Sequence, residues 1–232
     1  MGRLPLRALP RVFVPGASPE DIIELPSSEV DKLRKVLRLS AGAQIVVLPN
    51  DGSVIRCEFT GRDAKPLEVE RPDVEPSLSL TIAQSLPKGD KLDEIVRACT
   101  EIGASRFILF PSERTIVQWD AKKTADRLAR LSTIAREAAE VSFRTKLPTV
   151  EYAASLKEVF AKLPNAVVLS EVEDETKTLP SDATEIVVGP EGGWAKRELE
   201  LIGDRGVTLG PRVLRVDHAA PAAAAILLLK HS

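Results

Sequence analysis

Two glycine-containing loops, each after a short apolar run, are the parts of this chain best suited to ligand chemistry. The first reads Gly189-Pro190-Glu191-Gly192-Gly193 and follows Ile186-Val187-Val188. The second, Gly210-Pro211, follows Val207-Thr208-Leu209. An apolar run predicts a buried strand, and glycine after it lets a ligand approach the backbone closely. At the carboxyl ends of parallel strands, two such loops would form two walls of one small-molecule pocket.

Other ligand chemistries fit these loops less well. Neither loop ends in the Lys-Ser/Thr pair of a phosphate-binding P-loop, and no G-x-G-x-x-G pattern follows the first strand of this half. With two histidines and two cysteines in the whole chain, we expect no metal site and no disulfide framework. The alternative interpretation is that both loops are ordinary turns, because Gly-Pro turns are common.

Strand and helix patterns alternate from Ser77 onward and would position these loops. The predicted elements are strand 78–84, helix 91–102, strand 107–110, helix 121–142 and strand 166–169. Leu92, Ile95 and Cys99 fall at helical spacing in the first helix, which indicates a face buried against a sheet. This alternation predicts an α/β fold with a parallel sheet covered by helices on both faces.

The N-terminal part has a different pattern. Short strands are predicted at 11–14, 44–48 and 54–59, with one helix at 28–37. Asn50-Asp51-Gly52 between the last two strands is typical of a hairpin turn. We therefore predict a small β-barrel domain at 1–72, a stiff proline-containing linker, and a second domain at 77–232.

Composition limits the location of the protein and the kind of partner. At 232 residues with 44% hydrophobic residues, the chain predicts a soluble globular protein. The apolar stretch 219–229 contains Pro221 and is too short to span a bilayer, and the start lacks an apolar signal-peptide region. We expect a cytoplasmic protein. Because 219–229 is small and apolar on nearly all sides, a homodimer interface beside the pocket would bury it.

Basic residues cluster twice although the net charge is −2. Residues 1–71 carry 11 Lys and Arg against 10 Asp and Glu, a balance of +1, so any RNA contact must be a local patch. The candidate phosphate contacts are Arg3, Arg7 and Arg11, then Lys32, Arg34, Lys35 and Arg38. The alternative is a mobile tail and a solvated helix face.

The order of several motifs carries a resemblance over nearly the whole chain. The two glycine loops continue into Arg212-Val213-Leu214-Arg215. The other matching segments are Arg11 to Val14, Val36 to Leu39, Lys88 to Asp93, Thr100 to Gly103, Ser112 to Arg114, and Ala138 to Glu140 with Ser142 and Arg144. With these motifs the chain resembles the RsmE family of 16S ribosomal RNA uridine N3-methyltransferases, within the knotted SPOUT superfamily.

The resemblance implies a fold, a reaction and partners. It implies a PUA-like RNA-binding barrel at 1–72 and a SPOUT-type knotted methyltransferase domain at 77–232. The implied reaction moves a methyl group from S-adenosylmethionine to N3 of a 16S rRNA uridine, U1498 in the usual numbering, in the small ribosomal subunit. The implied assembly is a homodimer in which Glu140, Ser142 and Arg144 act on the partner's site.

Candidate site residues follow from the resemblance and from the chemistry of the reaction. Glycine loops and apolar side chains suit a flat adenine, and the cofactor candidates are Leu169, Ser170, Gly189, Pro190, Glu191, Gly192, Gly193, Leu209, Gly210, Arg212 and Leu214. Methylation at N3 requires loss of the imide proton, so cations that stabilise an anion and groups that accept a proton are needed. The catalytic candidates are Arg144, Arg215, Asp217 and Glu140, with His218 as a further acceptor, and Lys88 joins the RNA contacts.

Three positions depart from the family pattern and keep alternatives open. Val216-Asp217-His218 stands where Thr-Glu-Thr is usual, Val141 replaces a glutamine and Lys32 replaces a histidine. One alternative is a catalytically silent RNA-binding assembly factor, and another is a SPOUT methyltransferase for a different RNA position. Asp217 and Glu191 are also suited to a helix-capping role, since each precedes a predicted helix.

The two-domain interpretation predicts separable binding functions. In Arg34→Glu combined with Arg38→Glu, we expect weaker RNA binding because two phosphate contacts become repulsive, while cofactor binding stays unchanged. Calorimetry with S-adenosylmethionine and an RNA binding assay check the two activities separately. Equal loss of both would contradict the assignment of RNA binding to the first domain.

Overall fold

The chain forms two units. The computed structural model describes residues 4–117, 119–170 and 177–229. One unit comprises Met1–Glu75 with Ala139–Leu147, and the other comprises Pro76–Ala138 with Pro148–Ser232. The sequence pattern places 139–147 in the domain at 77–232, and the structure instead groups them with the first unit. The reason is packing, because Ala139 joins the cluster of Phe13 and Leu48.

The first unit contains a four-stranded sheet. Its elements are β1 (Arg11–Phe13), α1 (Ser27–Asp31), β2 (Gln44–Leu48), β3 (Val54–Phe59) and β4 (Ala64–Glu70). The strand order is β1-β2-β3-β4, with β1 parallel to β2 and the other pairs antiparallel. Its core consists of Val12, Ile45, Ile55 and their neighbours, all buried.

The hairpin between β2 and β3 is confirmed. Asn50 and Gly52 adopt left-handed φ angles of 69° and 93°, which a tight turn between antiparallel strands requires. Strand β4 was missed by the sequence pattern because most of its side chains are exposed and it contains Pro66. Pro66 lies opposite Cys57 where the strand register shifts, a position that tolerates a missing N–H.

The helix predicted at 28–37 has an irregular second half. After α1, residues Lys32–Val36 form a π-helical turn, and the Leu37 N–H donates to the Lys32 carbonyl over 2.9 Å. Arg38 then has a φ of 55°, a left-handed conformation that is uncommon without glycine. A π-helical turn is wider than an α-helical turn because its hydrogen bonds span one residue more. The spacing of apolar residues does not reveal a single turn of this kind.

The second unit is an α/β fold with a six-stranded parallel sheet. Its elements are β5 (Thr81–Ser85), α2 (Lys91–Ile102), β6 (Arg106–Phe110), α3 (Ala121–Val141, whose last residues belong to the first unit), β7 (Thr149–Tyr152), α4 (Leu156–Lys162), β8 (Val167–Leu169), β9 (Glu185–Val188), α5 (Lys196–Ile202), β10 (Gly206–Val207) and α6 (Val216–Leu228). The strand order is β10-β8-β9-β5-β6-β7, and every pair is parallel.

Helices cover both faces of this sheet, as the sequence pattern predicts. Apolar residues of α2, α3 and α6 pack on one face, against Ile82, Phe107 and Ile186. Those of α4 and α5 pack on the other face, against Ala83 and Val187. None of the helices in the described residues is both long enough and apolar enough to cross a membrane.

Three details of the second unit differ from the sequence pattern. Elements β7, α4 and α5 were not predicted, because each is only four to seven residues long. Helix α6 begins at Val216 rather than at 219. Asp217 therefore lies inside the first helical turn, and the predicted capping position is occupied by Arg215.

Gly103 provides a test of the packing at the end of α2. It adopts a φ of 118°, and a Cβ at this position would lie 2.5 Å from Cγ of Pro76. Because Gly103→Ala combines this clash with an unfavourable backbone conformation, we expect it to lower the free energy of unfolding by about 3 kcal/mol. Urea denaturation measures the change.

Gly89→Ala is the matched control. Gly89 also has a positive φ, of 69°, but within the part of the chain that the structure describes no heavy atom beyond those of the adjacent residues lies within 4 Å of the added Cβ. We expect a loss of about 1 kcal/mol from backbone conformation alone. Equal losses in the two variants would contradict the steric contribution of Pro76.

Candidate functional site

A cavity of about 1070 Å³ lies where β8, β9 and β10 end in the second unit. Both predicted glycine loops form its walls, since the carboxyl ends of neighbouring parallel strands share one edge of the sheet. Ten predicted cofactor residues line it, namely Leu169, Ser170, Gly189, Pro190, Glu191, Gly193, Leu209, Gly210, Arg212 and Leu214. Gly192 is the exception, because it is not among the lining residues.

The sequence pattern missed several residues of the cavity wall. They are Lys91, Val188, Trp194, Leu199, Thr208, Pro211, Val213, Val216 and Ala219, alongside the predicted Arg215. Lys91 comes from α2, a hundred residues before the loop that it contacts, so spacing could not reveal it. Trp194 directly follows Gly192-Gly193. Its position next to the glycine loop is the sequence feature from which its place in the cavity wall could be predicted.

Glu191 fixes the loop after β9 to the start of α2. Its carboxylate accepts a hydrogen bond from Lys91 Nζ over 2.7 Å and another from the Lys88 backbone N–H over 3.2 Å. Burial opposes its charge, but the Lys91 hydrogen bond and backbone donors outweigh burial and lower the pKa of Glu191. An ionised carboxylate therefore faces the cavity. Lys88, predicted as an RNA contact, is exposed beside this pair.

Trp194 holds the first residue of the same loop. Its ring stacks on Phe110 of β6, with centroids 6.4 Å apart and planes 7° from parallel. A Cβ on Gly189 would lie 2.8 Å from Cε2 of Trp194. Glycine is thus required at position 189 by close approach of the aromatic ring, rather than by an unusual φ.

A buried carboxylate connects the loop after β6 to the start of α5. Glu198 accepts hydrogen bonds from Ser112 Oγ, the Glu113 N–H and the Ala195 N–H, at 3.0, 3.0 and 2.9 Å. The same β6 loop carries Arg114, whose Nη1 donates to the Gly192 carbonyl over 2.8 Å. Arg114 thus holds the same loop that supplies Glu191 and Gly193 to the cavity wall.

The second glycine loop is stabilised by its own threonine. The Gly210 N–H donates to Thr208 Oγ1 over 3.1 Å, and that hydroxyl donates to the Gly210 carbonyl over 2.9 Å. Gly210 has a φ of 126°, which favours glycine. On the neighbouring strand, the Ser170 N–H donates to the Val207 carbonyl over 2.9 Å, which brings Leu169 to the same wall.

Charged residues lie at the start of α6, next to the cavity. Arg215 Nε donates to Asp217 Oδ1 over 3.1 Å, and His218 Nε2 is 3.9 Å from Asp217 Oδ2. The Arg215 hydrogen bond lowers the pKa of Asp217. Arg215 lines the cavity, whereas Asp217 and His218 do not. Arg215 therefore places a cation at the cavity wall, and the ionised carboxylate of Asp217 binds this cation without lining the cavity.

Glu140 and Arg144 lie in the first unit and have partners there. Glu140 accepts from Lys32 Nζ over 2.6 Å and from the Phe13 N–H over 3.3 Å. Arg144 donates from Nη2 to Glu75 over 2.8 Å and is itself buried. Neither side chain is among those that line the cavity. These contacts fix the positions of both side chains within the first unit, and their catalytic role at a partner's site stays a prediction.

The remaining RNA candidates differ in their surroundings. Arg7, Arg34, Lys35 and Arg38 are exposed, and Arg3 lies outside the described residues. Arg11 is half-buried, and its Nε donates to the Glu140 carbonyl over 2.6 Å. Burial lowers the pKa of Arg11 despite attraction by Glu140. Arg11 is therefore engaged within the unit, while the other four described side chains face solvent.

Comparison with known proteins places the chain in a family. Residues 74–228 match the model of an RNA methyltransferase domain. The ribosomal RNA small subunit methyltransferase E of Bacillus subtilis is 33% identical over 217 residues, covering 84% of this chain and 85% of the relative. The Synechocystis protein of that name is 34% identical over 220 residues, covering 85% and 71%. The chain belongs to the ribosomal RNA small subunit methyltransferase E family.

Solved structures agree with this family membership. A Neisseria gonorrhoeae ribosomal RNA small subunit methyltransferase E bound to S-adenosyl methionine is 29% identical, with a TM-score of 0.82 and coverage of 94% and 95%. A putative methyltransferase from Legionella pneumophila, in complex with the same cofactor, shares the fold with a TM-score of 0.85 at 23% identity.

A substitution at Gly189 tests whether Trp194 and the first glycine loop together shape the cavity. We expect Gly189→Ala to weaken S-adenosylmethionine binding at least about tenfold, because the new Cβ displaces the Trp194 ring from the wall. Isothermal calorimetry measures the dissociation constant. Gly192→Ala is the control, since its Cβ would meet Arg114 Cβ at an ordinary 3.7 Å. Unchanged binding in Gly189→Ala would contradict this role of Trp194.

Proposed function

We propose that this protein transfers a methyl group from S-adenosylmethionine to N3 of one 16S rRNA uridine, U1498 in the usual numbering. The observation that carries the proposal is the cavity between two glycine loops in a chain of the methyltransferase E family. The finer parts of the proposal are the nucleotide, the atom and the assembled small ribosomal subunit as substrate. They rest on the resemblance together with the chemistry of the cavity wall.

The cavity residues fit S-adenosylmethionine. Leu169, Leu209 and Leu214 supply apolar contacts for an adenine, and the glycines let backbone groups approach its edge. Glu191 lies in the same wall, where its carboxylate is paired with Lys91 and holds the first glycine loop in place. When bound, the cofactor supplies an activated methyl group on a cationic sulfur.

Arg215 is the residue proposed to contact the uridine, and Asp217 is proposed to position Arg215. Arg215 would donate hydrogen bonds to a uracil carbonyl oxygen and stabilise the negative charge that appears when the N3 proton leaves. Asp217 holds the Arg215 guanidinium in place through its 3.1 Å hydrogen bond. Its lowered pKa makes Asp217 a weak proton acceptor, which favours a positioning role. His218, whose Nε2 is 3.9 Å from Asp217 Oδ2, is then the candidate that accepts the N3 proton.

The proposal extends to architecture and assembly. The four-stranded sheet of the first unit is compatible with a PUA-like RNA-binding barrel, and Arg7, Arg34, Lys35 and Arg38 supply exposed cations there. A SPOUT-type knot in the second unit and a homodimer are part of the same proposal. Ile226 and Leu229 remain exposed at the end of α6, which supports a second copy as the partner of this helix. We propose a cytoplasmic location, where the ribosomal substrate is made.

A silent assembly factor is the second candidate function. Val216-Asp217-His218 favours it, because both hydroxyl groups of the family's Thr-Glu-Thr are missing. A methyltransferase that modifies another RNA position is a further alternative, which differs less from the proposed function. Both retain the RNA-binding surface, and they differ in turnover and in the modified nucleotide.

Methyl transfer from labelled S-adenosylmethionine to undermethylated small ribosomal subunits tests the proposal. We expect 3-methyluridine in nucleoside analysis of the product. In Arg215→Gln, we expect single-turnover transfer to slow about 100-fold, because a donor to the developing anion is lost. Arg97→Gln is the control, since Arg97 lies on α2 and pairs only weakly with Glu94 at 3.9 Å.

The possible results separate the candidate functions. Cofactor binding without transfer to intact subunits would favour the silent assembly factor. Transfer that yields a different modified nucleoside would favour another RNA position. A normal rate in Arg215→Gln would contradict the role of Arg215 without affecting the assignment of the reaction.

A further inference from the structure

An exposed apolar pair interrupts the second basic cluster of the first unit. Val36 is 72% exposed and Leu37 is 43% exposed, so neither contributes much to a core. Arg34, Lys35 and Arg38 flank the pair in sequence, and all three side chains are exposed. Apolar side chains are thus presented to solvent between three cations.

The backbone fixes this pair in an outward position. Leu33 on one side is fully buried, and Leu39 on the other packs against the same core cluster. Between these anchors, the Leu37 N–H donates to the Lys32 carbonyl and the Leu39 N–H donates to the Leu33 carbonyl, each over 2.9 Å. The π-helical turn at Lys32–Val36 therefore holds Val36 and Leu37 in a fixed, outward-facing position, and we call this pair the apolar tip.

The neighbouring charges point to the chemistry of the partner. The side chains of Arg34 and Arg38 have no hydrogen-bond or ion-pair partner within residues 4–117, 119–170 and 177–229. Lys35 pairs with Asp31 over 2.9 Å at the surface, where such pairs exchange easily. Three available cations around an apolar tip complement a partner that carries closely spaced anions beside a flat apolar surface.

We propose that Val36 and Leu37 form an apolar wedge that packs against an unpaired base of the RNA. Arg34, Lys35 and Arg38 would neutralise the phosphates on either side. Unpaired RNA exposes base faces next to its phosphates, whereas an A-form duplex hides the faces and offers phosphates and ribose. The inference rests on the proposed RNA substrate, and it adds that the first unit distinguishes unpaired from paired RNA.

Val36→Ser tests the wedge. The probes are a labelled single-stranded RNA and a fully paired RNA with the same number of phosphates, measured by fluorescence anisotropy. We expect the dissociation constant for the single strand to rise about fivefold, because base contact is lost, while that for the duplex changes less than about twofold. A thermal melt checks that the fold is unchanged, as expected for an exposed side chain.

Ile22→Ser is the matched control. Ile22 is also an exposed apolar residue of the first unit, at 62%, but Glu20, Asp21 and Glu24 surround it in sequence. An acidic setting repels RNA, so both dissociation constants should stay unchanged. A loss in Ile22→Ser equal to that in Val36→Ser would overturn the proposal, because the effect would not be specific to the basic cluster.

Salt dependence separates the wedge from the cations. For the single strand, Arg34→Gln should reduce the slope of log affinity against log salt concentration by about 0.7, the value for one lost phosphate contact. Val36→Ser should leave this slope unchanged while lowering affinity. Equal losses on single strand and duplex in Val36→Ser would overturn the wedge.

The test is independent of catalysis. If wild-type protein binds the single strand and Val36→Ser weakens that binding, the wedge stands even where no methyl transfer is observed. If transfer to small subunits proceeds normally but Val36→Ser binds both RNAs as wild type does, the wedge is wrong and the proposed function is unaffected.

Discussion

Parallel strands place all their carboxyl ends on one edge of a sheet. At that edge, residues from other parts of the second unit hold the loop after β9 in place. Glu191 binds Lys91 and the Lys88 N–H at the start of α2. The Gly192 carbonyl accepts from Arg114, and Trp194 stacks on Phe110. Because these contacts come from two other strand-loop segments, the wall of the cavity is set by the sheet rather than by the loop itself.

Carboxylates in this protein are largely used to hold backbone and cations in place. Glu198 accepts three hydrogen bonds while buried, and Glu75 accepts from Arg144 and from the Thr145 and Lys146 N–H groups. Burial opposes the charge of Glu75, yet these donors lower its pKa, so it stays ionised and stabilising at neutral pH. Removing such a partner would leave a buried charge without compensation. The cations at the cavity wall, Arg212 and Arg215, remain exposed to a substrate.

The first unit combines rigid anchoring with exposed charge. Its core residues hold a wide helical turn, while the side chains between the anchors face solvent. A surface built this way loses little conformational freedom on binding, which favours affinity without a large buried area. Both units therefore use buried contacts to present a small number of side chains in fixed positions.

The sequence by itself determined the elements that depend on neighbouring residues. The pattern at 91–102 predicted α2 with its ends, and the two glycine loops contain eight residues of the cavity wall, because strand and turn preferences are local. Leu169 and Ser170, at the end of β8, were expected there from the family resemblance. Local pattern was less informative for short elements such as β7 and α4, whose few residues carry too little periodicity.

Only the tertiary structure decided which distant residues meet. It brought Lys91 and Trp194 to the cavity wall, left Gly192 outside it, and paired Glu140 with Lys32 and Arg144 with Glu75. Glu140 and Arg144 are catalytic candidates from the sequence, and the structure adds the ion-pair partner that each has within the first unit. The physical reason is that hydrogen bonds and packing act between atoms a few ångströms apart, irrespective of the number of residues that separate them in the chain.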